Sequence, residues 1–203
     1  MLKTRFKYLE LQGIGMKKGL KILLLSDTWA TLALGMIGPI YAIFVADIGG
    51  DILDASWAYF AFMITSGVVM YFISHWEDKV KHKNRLITLG YSLTALGCLS
   101  YIFVDSQLTL VITQMILGVA EAVQVPAYDA MYSSYLRKHK AASEWGNWEA
   151  MQYIVTAIAA LAGGYLAKSL GFKALFVAMF IFSLFSVFTS LGMFKNSKYL
   201  RSQ

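Results

Sequence analysis

The chain has 203 residues, 58% of them hydrophobic and 15% charged, with mean hydropathy +0.56 and net charge +6. Soluble domains average roughly 45–50% apolar and about 25% charged, so the balance excludes disorder and points to lipid rather than to a soluble enzyme. A single cysteine, Cys98, excludes an internal disulfide framework and a cysteine-built zinc cage. Lysines and arginines lie between apolar runs, not along one helix face, which is the pattern of loops flanking membrane spans and not of a nucleic-acid surface.

A bilayer core needs about 20 apolar residues per helix, and six runs qualify: 22–46, 56–75, 86–104, 108–135, 146–167 and 173–194. Residues 1–21 read as a basic juxtamembrane segment, 22–194 as the transmembrane domain and 195–203 as a polar tail. Of the 18 Lys and Arg residues, all but Lys168 and Lys173 fall on one side of this topology. The positive-inside rule then sets both termini in the cytoplasm of a cell-membrane protein. So strong a bias fixes one orientation, and any homodimer is expected to be parallel.

Pro39-Ile40-Tyr41 in span 1 is matched by Pro126-Ala127-Tyr128 in span 4, each preceded by a Leu-Gly step, Leu34-Gly35 and Leu117-Gly118. Spans 1 and 4 run in opposite directions, so the two proline sites are expected at opposite depths. The pattern predicts an all-α membrane fold of six helices in two inverted three-helix repeats. Gly/Pro-interrupted spans at corresponding repeat positions point to a transport site.

Carboxylates at bilayer depth are costly and face a cavity or a partner. Glu121 is the deepest, about 20 Å along its helix at 1.5 Å per residue. Gln114, Glu121 and Tyr128 share a face, with Gln124 on its shoulder. The stripe reads as a cavity lining in which Glu121 binds solute or couples protons, or as a structural interhelical contact. Asp27, whose face continues through Thr31, Leu34, Gly38 and Tyr41, is either a second coupling carboxylate or a partner for basic loop residues. Asp129 is expected to form a salt bridge near Arg137 and Lys138. Glu149 opens a stripe with Gln152, Tyr153 and Thr156 that belongs to the cavity or a gate. Trp57, Trp76, Trp145 and Trp148 fall near span ends, where interfacial belts place them. Trp29 lies deeper and is expected to pack. No H-E-x-x-H, G-x-S-x-G or metal-ligand spacing occurs, so neither an enzyme nor a cofactor is expected.

Several motifs in order resemble the N-terminal half of the major facilitator superfamily. Leu34-Gly35-Met36-Ile37-Gly38-Pro39-Ile40-Tyr41 is similar to the family's first helix. Ser74-x-x-x-Asp78-Lys79-x-Lys81-His82-Lys83 resembles its G-x-x-x-D-R/K-x-G-R-R/K loop, with Ser74, Lys81 and His82 as departures. Gln114-x-x-x-Gly118 stands where R-x-x-Q-G is common, without the Arg. Ala159-Ala160-x-x-Gly163-Gly164 is close to the antiporter G-P-x-x-G-G, without Gly-Pro. Gly171-Phe172-Lys173-Ala174-Leu175-Phe176 ends a stretch similar to the family's span 5–6 hairpin.

The resemblance implies a secondary active transporter of a small solute, working by alternating access and possessing half the usual twelve spans. A parallel homodimer joined through spans 2 and 5, where the small residues of span 5 suit close packing, restores twelve. The central cavity is then lined by spans 1 and 4 of both copies, with two copies of Glu121 and broad selectivity. Its partners are the solute, protons if coupled, the bilayer and itself. An accessory or scaffold protein, or one half of a heteromeric or truncated transporter, is the alternative. The resemblance also implies that Asp78 meets the N-terminus of the partner's span 5 near Ser143–Gly146 as a latch, unless it is a solvated acid beside Lys79. Asp78, Lys79, Arg85, Asp129 and Arg137 form the candidate gating set. Asp27, Tyr41, Gln114, Glu121, Gln124, Tyr128, Glu149 and Gln152 form the candidate solute and coupling set.

Overall fold

The computed structural model describes residues 2–137 and 139–196, with side chains described for 18–137 and 139–194. Lys138, the side chains of the basic N-terminal residues 3–17, those of 195 and 196, and residues 197–203 of the tail expected to be cytoplasmic lie outside these descriptions. The elements are α1 (Leu2–Gly35), a 3-10 turn (Gly38–Ile40), α2 (Tyr41–Asp47), α3 (Ile52–Glu77), α4 (Lys83–Tyr101), α5 (Gln107–Tyr135), α6 (Ala141–Leu170) and α7 (Phe172–Asn196). Span 1 is therefore α1, turn and α2 together, and α1 runs unbroken through the segment expected to precede it. Pro39 stands in the turn, where it supplies no N–H. Pro126 is carried inside α5, which continues to Tyr135. The two prolines share a motif but only the first breaks its helix.

Five stretches are long and apolar enough to cross a membrane: Lys18–Asp47, Ile52–Glu77, Gln107–Tyr135, Ala141–Leu170 and Phe172–Phe194. The sixth span, α4, is more polar because its hydroxyls face the bundle interior. Thr88 accepts from Ser190 of α7 at 3.0 Å, and Ser100 donates to Thr113 of α5 at 3.0 Å. A polar helix is tolerated in a bilayer when its donors and acceptors are satisfied by neighbours.

α4 and α7 pack together at the centre. α5 packs on α4 and α3, and α1 packs on α7 and α6. Exchanging α1 with α5, α3 with α6 and α4 with α7 maps each of these pairs onto another, which is the pattern of a twofold relation between two three-helix units. The Leu-Gly steps serve matching crossings. A Cβ on Gly35 would stand 3.0 Å from the Ala159 Cβ of α6, and one on Gly118 would stand 2.6 Å from the Phe62 carbonyl of α3. Each glycine lets the first helix of a repeat approach the second helix of the other.

Capping follows the loops. Asp51 and Asp54 close a capping box on α3, and Ser106 and Thr109 close one on α5. α4 and α6, which begin at basic loops, start without a side-chain cap. Gly171 turns the chain from α6 into α7 at φ 84°, a conformation glycine adopts at no steric cost. Buried apolar side chains form two clusters, one towards each end of the bundle. One contains Phe44, Tyr101, Leu117 and Phe176, and the other Leu23, Ile87, Tyr91, Tyr128 and Tyr132.

Candidate functional site

Asp27 lies within the second cluster and is only 6% exposed. The close α1–α6 crossing brings the facing side chains of α6 to it. Above the Gly35 contact, Gly163 of α6 sits so near the Met36 backbone that a Cβ would fall 2.2 Å from the Met36 carbonyl oxygen. Further along the same α6 face, Trp148 Nε1–H donates to Asp27 Oδ2 at 2.9 Å and the Gln152 amide donates to the same oxygen. Thr31, one turn beyond Asp27, donates its hydroxyl to Gln152 Oε1, which turns the amide N–H₂ towards the carboxylate. From α4, Tyr91 donates to Asp27 Oδ1 at 3.4 Å. Its neighbour Gly90 permits that approach, since a Cβ there would meet Gln124 Cβ of α5 at 2.5 Å. The Tyr128 hydroxyl of α5 is buried beside the same carboxylate and has no hydrogen-bond partner among the described residues.

All of these hydrogen-bonding neighbours are donors, and an ionised carboxylate is acceptor-only. The site is lined with donors, and three helices contribute to it besides α1. Among the described residues the one ion pair is Arg137–Glu144, and none of their Lys, Arg or His side chains is paired with Asp27. A pairing of Asp27 with basic loop residues is not seen among the described residues. Glu121 lies half-buried within electrostatic reach of Asp27 and makes no hydrogen bond or ion pair among the described residues.

The remaining expected residues divide. Gln114 donates to Tyr41 Oη at 2.9 Å and Tyr101 Oη at 3.0 Å, which ties α2, α4 and α5 at the opposite end of the bundle from Asp27. Asp27 precedes Tyr41 by the same interval as Gln114 precedes Tyr128, and each tyrosine lies against the polar residue of the other repeat. Gln124 backs onto Gly90. Glu149, one position from Trp148 and so about 100° around the helix, is exposed and without a partner among the described residues; of the stripe Glu149, Gln152, Tyr153 and Thr156, Gln152 faces Asp27, beside Trp148, while Glu149 and Tyr153 are exposed. Asp129 is half-buried and makes no ion pair among the described residues, with Lys138 outside them. Arg137 instead holds Glu144 through its backbone N–H at 2.8 Å and its guanidinium, because Glu144 stands in the facing first turn of α6 while Asp129 lies further back along α5. Asp78, Lys79 and Arg85 are exposed, and Asp78 makes no side-chain hydrogen bond or ion pair.

Two side chains at the site carried no sequence signal as site residues: Tyr91, and Trp148, which reads as part of an interfacial belt. Trp145 and Trp148 join Tyr128 and Tyr132 in an aromatic cluster. Trp57 and Trp76 remain exposed near the ends of α3. Trp29 packs on Phe182 and Phe185 of α7, as expected. Glu77 is 2% exposed, and both carboxylate oxygens are buried without a hydrogen-bond partner among the described residues, while Lys83 Nζ donates to its backbone carbonyl at 2.8 Å. Among the described residues no three His, Cys, Asp or Glu side chains stand together as a metal site.

Six helices in two related units, with polar clusters inside an apolar shell, define a multi-span membrane protein. The family model of the Major Facilitator Superfamily matches residues 23–200, and the chain belongs to that superfamily. It is a membrane transporter by membership. No curated protein matches it.

Proposed function

We propose that the chain moves a small solute by alternating access as a parallel homodimer of twelve spans, with both termini cytoplasmic. The observation that carries this reading is the contrast between the interior and the flanks. Asp27 is buried in a cage of donors with Glu121 nearby, whereas α3 and α6 leave broad faces uncovered. Trp57, Phe60, Ile64 and Phe72 of α3 and Ile154, Ile158 and Leu161 of α6 are all exposed. Gly67 on α3 and Gly146 and Gly164 on α6 meet nothing within 4 Å, so they offer room for a second copy's helices. Part of the small-residue stripe of α6 is already used inside the chain, by Ala159 and Gly163 against α1. The uncovered glycines are the part left for an interface. A twofold axis along the membrane normal brings α3 of one copy to α6 of the other.

Coupling is assigned to Asp27 and Glu121, with Gln152, Trp148 and Tyr91 holding Asp27 and the Tyr128 hydroxyl beside it. Tyr41 and Gln114 lock the opposite end. Native mass spectrometry from lipid tests the assembly. A protomer is 22.6 kDa, so the expected species is about 45 kDa. A stable monomer at membrane-like concentrations overturns the homodimer. Uptake into proteoliposomes tests the site: Asp27→Asn and Glu121→Gln are each expected to abolish concentrative uptake while the helical fold persists. Unimpaired uptake in both variants overturns the assignment.

A further inference from the structure

Resting on the transporter reading above, we infer that Asp27 and the Tyr128–Tyr132–Trp145–Trp148 cluster form a binding site for a small organic cation, an alkylammonium or quaternary ammonium solute. Four observations converge on this chemistry. The first is sign. Asp27 is surrounded by donors and paired with no cation among the described residues, so an ionised Asp27 places a negative charge inside an apolar bundle, with Glu121 adding a second carboxylate within reach. The second is the Tyr128 hydroxyl, buried beside the carboxylate and outside the cage's hydrogen bonds among the described residues.

The third is the aromatic wall. Tyr132 and Trp145 have centroids 4.8 Å apart, Trp145 and Trp148 5.4 Å, and Tyr128 and Trp148 5.9 Å. The Tyr132–Trp145 and Trp145–Trp148 pairs are edge-to-face, at 67° and 84°, so the rings turn their faces in different directions rather than forming one stack. Trp145 and Trp148 are half-buried in front of buried tyrosines. A cation is attracted to such faces, most strongly to tryptophan and when desolvated. The fourth is the donor set. A hard metal ion takes about six oxygen ligands, whereas the carboxylate here is already claimed by N–H and O–H groups. An ammonium whose charge is spread over methyl or methylene groups requires only one counter-charge and ring faces. An anionic solute meets two carboxylates.

The test reads binding, not transport. The full chain in lipid nanodiscs is titrated with choline, tetraethylammonium and benzyltrimethylammonium, followed by tryptophan fluorescence and calorimetry, with 3,3-dimethylbutan-1-ol as the uncharged isostere of choline. At least one of the cations is expected to saturate, and choline, if it binds, to exceed its isostere by about tenfold or more. Asp27→Asn is expected to weaken the binding cation by about tenfold or more. Trp145→Leu, which does not touch Asp27, is expected to weaken it by about two- to thirtyfold. The inference is overturned if none of the three cations saturates, if choline and its isostere bind alike, or if folded Asp27→Asn retains full affinity. Should Asp27→Asn fail to fold, the wild-type cation series and Trp145→Leu decide. A monomer, or a protein with no uptake, that still binds these cations through Asp27 removes the transport reading and leaves this one. Uptake of a neutral or anionic solute with no response to the cations does the reverse.

Discussion

The Asp27 cage is held by a chain of single hydrogen bonds, so each member has a separable effect. Thr31 does not touch the carboxylate. Its hydroxyl fixes which end of the Gln152 amide faces Asp27, and an amide reversed there would present a second acceptor to an anion. Thr31→Val is therefore expected to raise the apparent KM for the solute several-fold while changing stability by less than about 1 kcal/mol. Trp148→Phe keeps a ring but removes a direct donor, and its expected cost is about 0.6–2 kcal/mol, the range of interhelical hydrogen bonds in membranes. Thermal unfolding in detergent beside an uptake series separates the two; equal melting losses with unchanged KM contradict the positioning role of Thr31. Much of this site was legible because a carboxylate or amide stands out in an apolar run: Asp27, Glu121 and Gln152 showed that contrast, and Tyr128 shares the helix face of Glu121. Tyr91 and Trp148 did not, since an aromatic residue in such a run looks like packing. Their role depends on helix crossings, and the available signal for Trp148 was its one-turn spacing from Gln152 on the face that carries Ala159 and Gly163 towards α1.

Helix crossings in turn depend on a few glycines, and adjacent positions on α6 separate their roles. A methyl on Gly163 runs into the Met36 backbone, which cannot move aside as a side-chain tip could, whereas one on Gly164 meets nothing. Gly163→Ala is expected to cost about 1–3 kcal/mol by overpacking, and Gly164→Ala to stay within about 0.5 kcal/mol for the isolated protomer. Thermal unfolding of the two variants checks this, and equal losses contradict the crossing described for α1 and α6. At this scale the sequence was a good guide to helix number, since the apolar runs coincide with the helices to within a few residues at most ends. It was a poorer guide to breaks. Pro39 and Pro126 sit in similar tripeptides, yet Pro39 interrupts span 1 beside Gly38 and leads into the short α2. Pro126 lies where α5 is packed by α3 on one side and α4 on the other, and there the helix tolerates the missing N–H. The polarity of α4 becomes intelligible only once its hydroxyls are seen to face α5 and α7.

For the assembled molecule, the proposed parallel dimer brings the end of α3 in one copy near the start of α6 in the other. Asp78 is exposed there without a side-chain partner among the described residues, and the N-cap of α6, Lys140, makes no side-chain cap. Free N–H groups and the positive end of a helix dipole favour a carboxylate. In the proposed dimer, contact between the two would hold that side of the transporter shut, and opening would break it twice by symmetry. A cap of this kind contributes about 0.5–2 kcal/mol, so the two together shift a two-state equilibrium by about fivefold to several hundredfold. Cys98 is buried, so a cysteine placed at Ser143 is a clean reporter for a membrane-impermeant thiol reagent. Asp78→Ala is expected to raise the labelling rate of Ser143→Cys within that range, and Asp78→Asn to raise it less, because the amide oxygen still accepts but carries no charge. The same substitutions are expected to leave labelling unchanged when the chain is held as a monomer, since no partner helix is then covered. Labelling that ignores Asp78 in the dimer rules out the latch, and labelling that responds equally in the monomer assigns the contact to the chain itself.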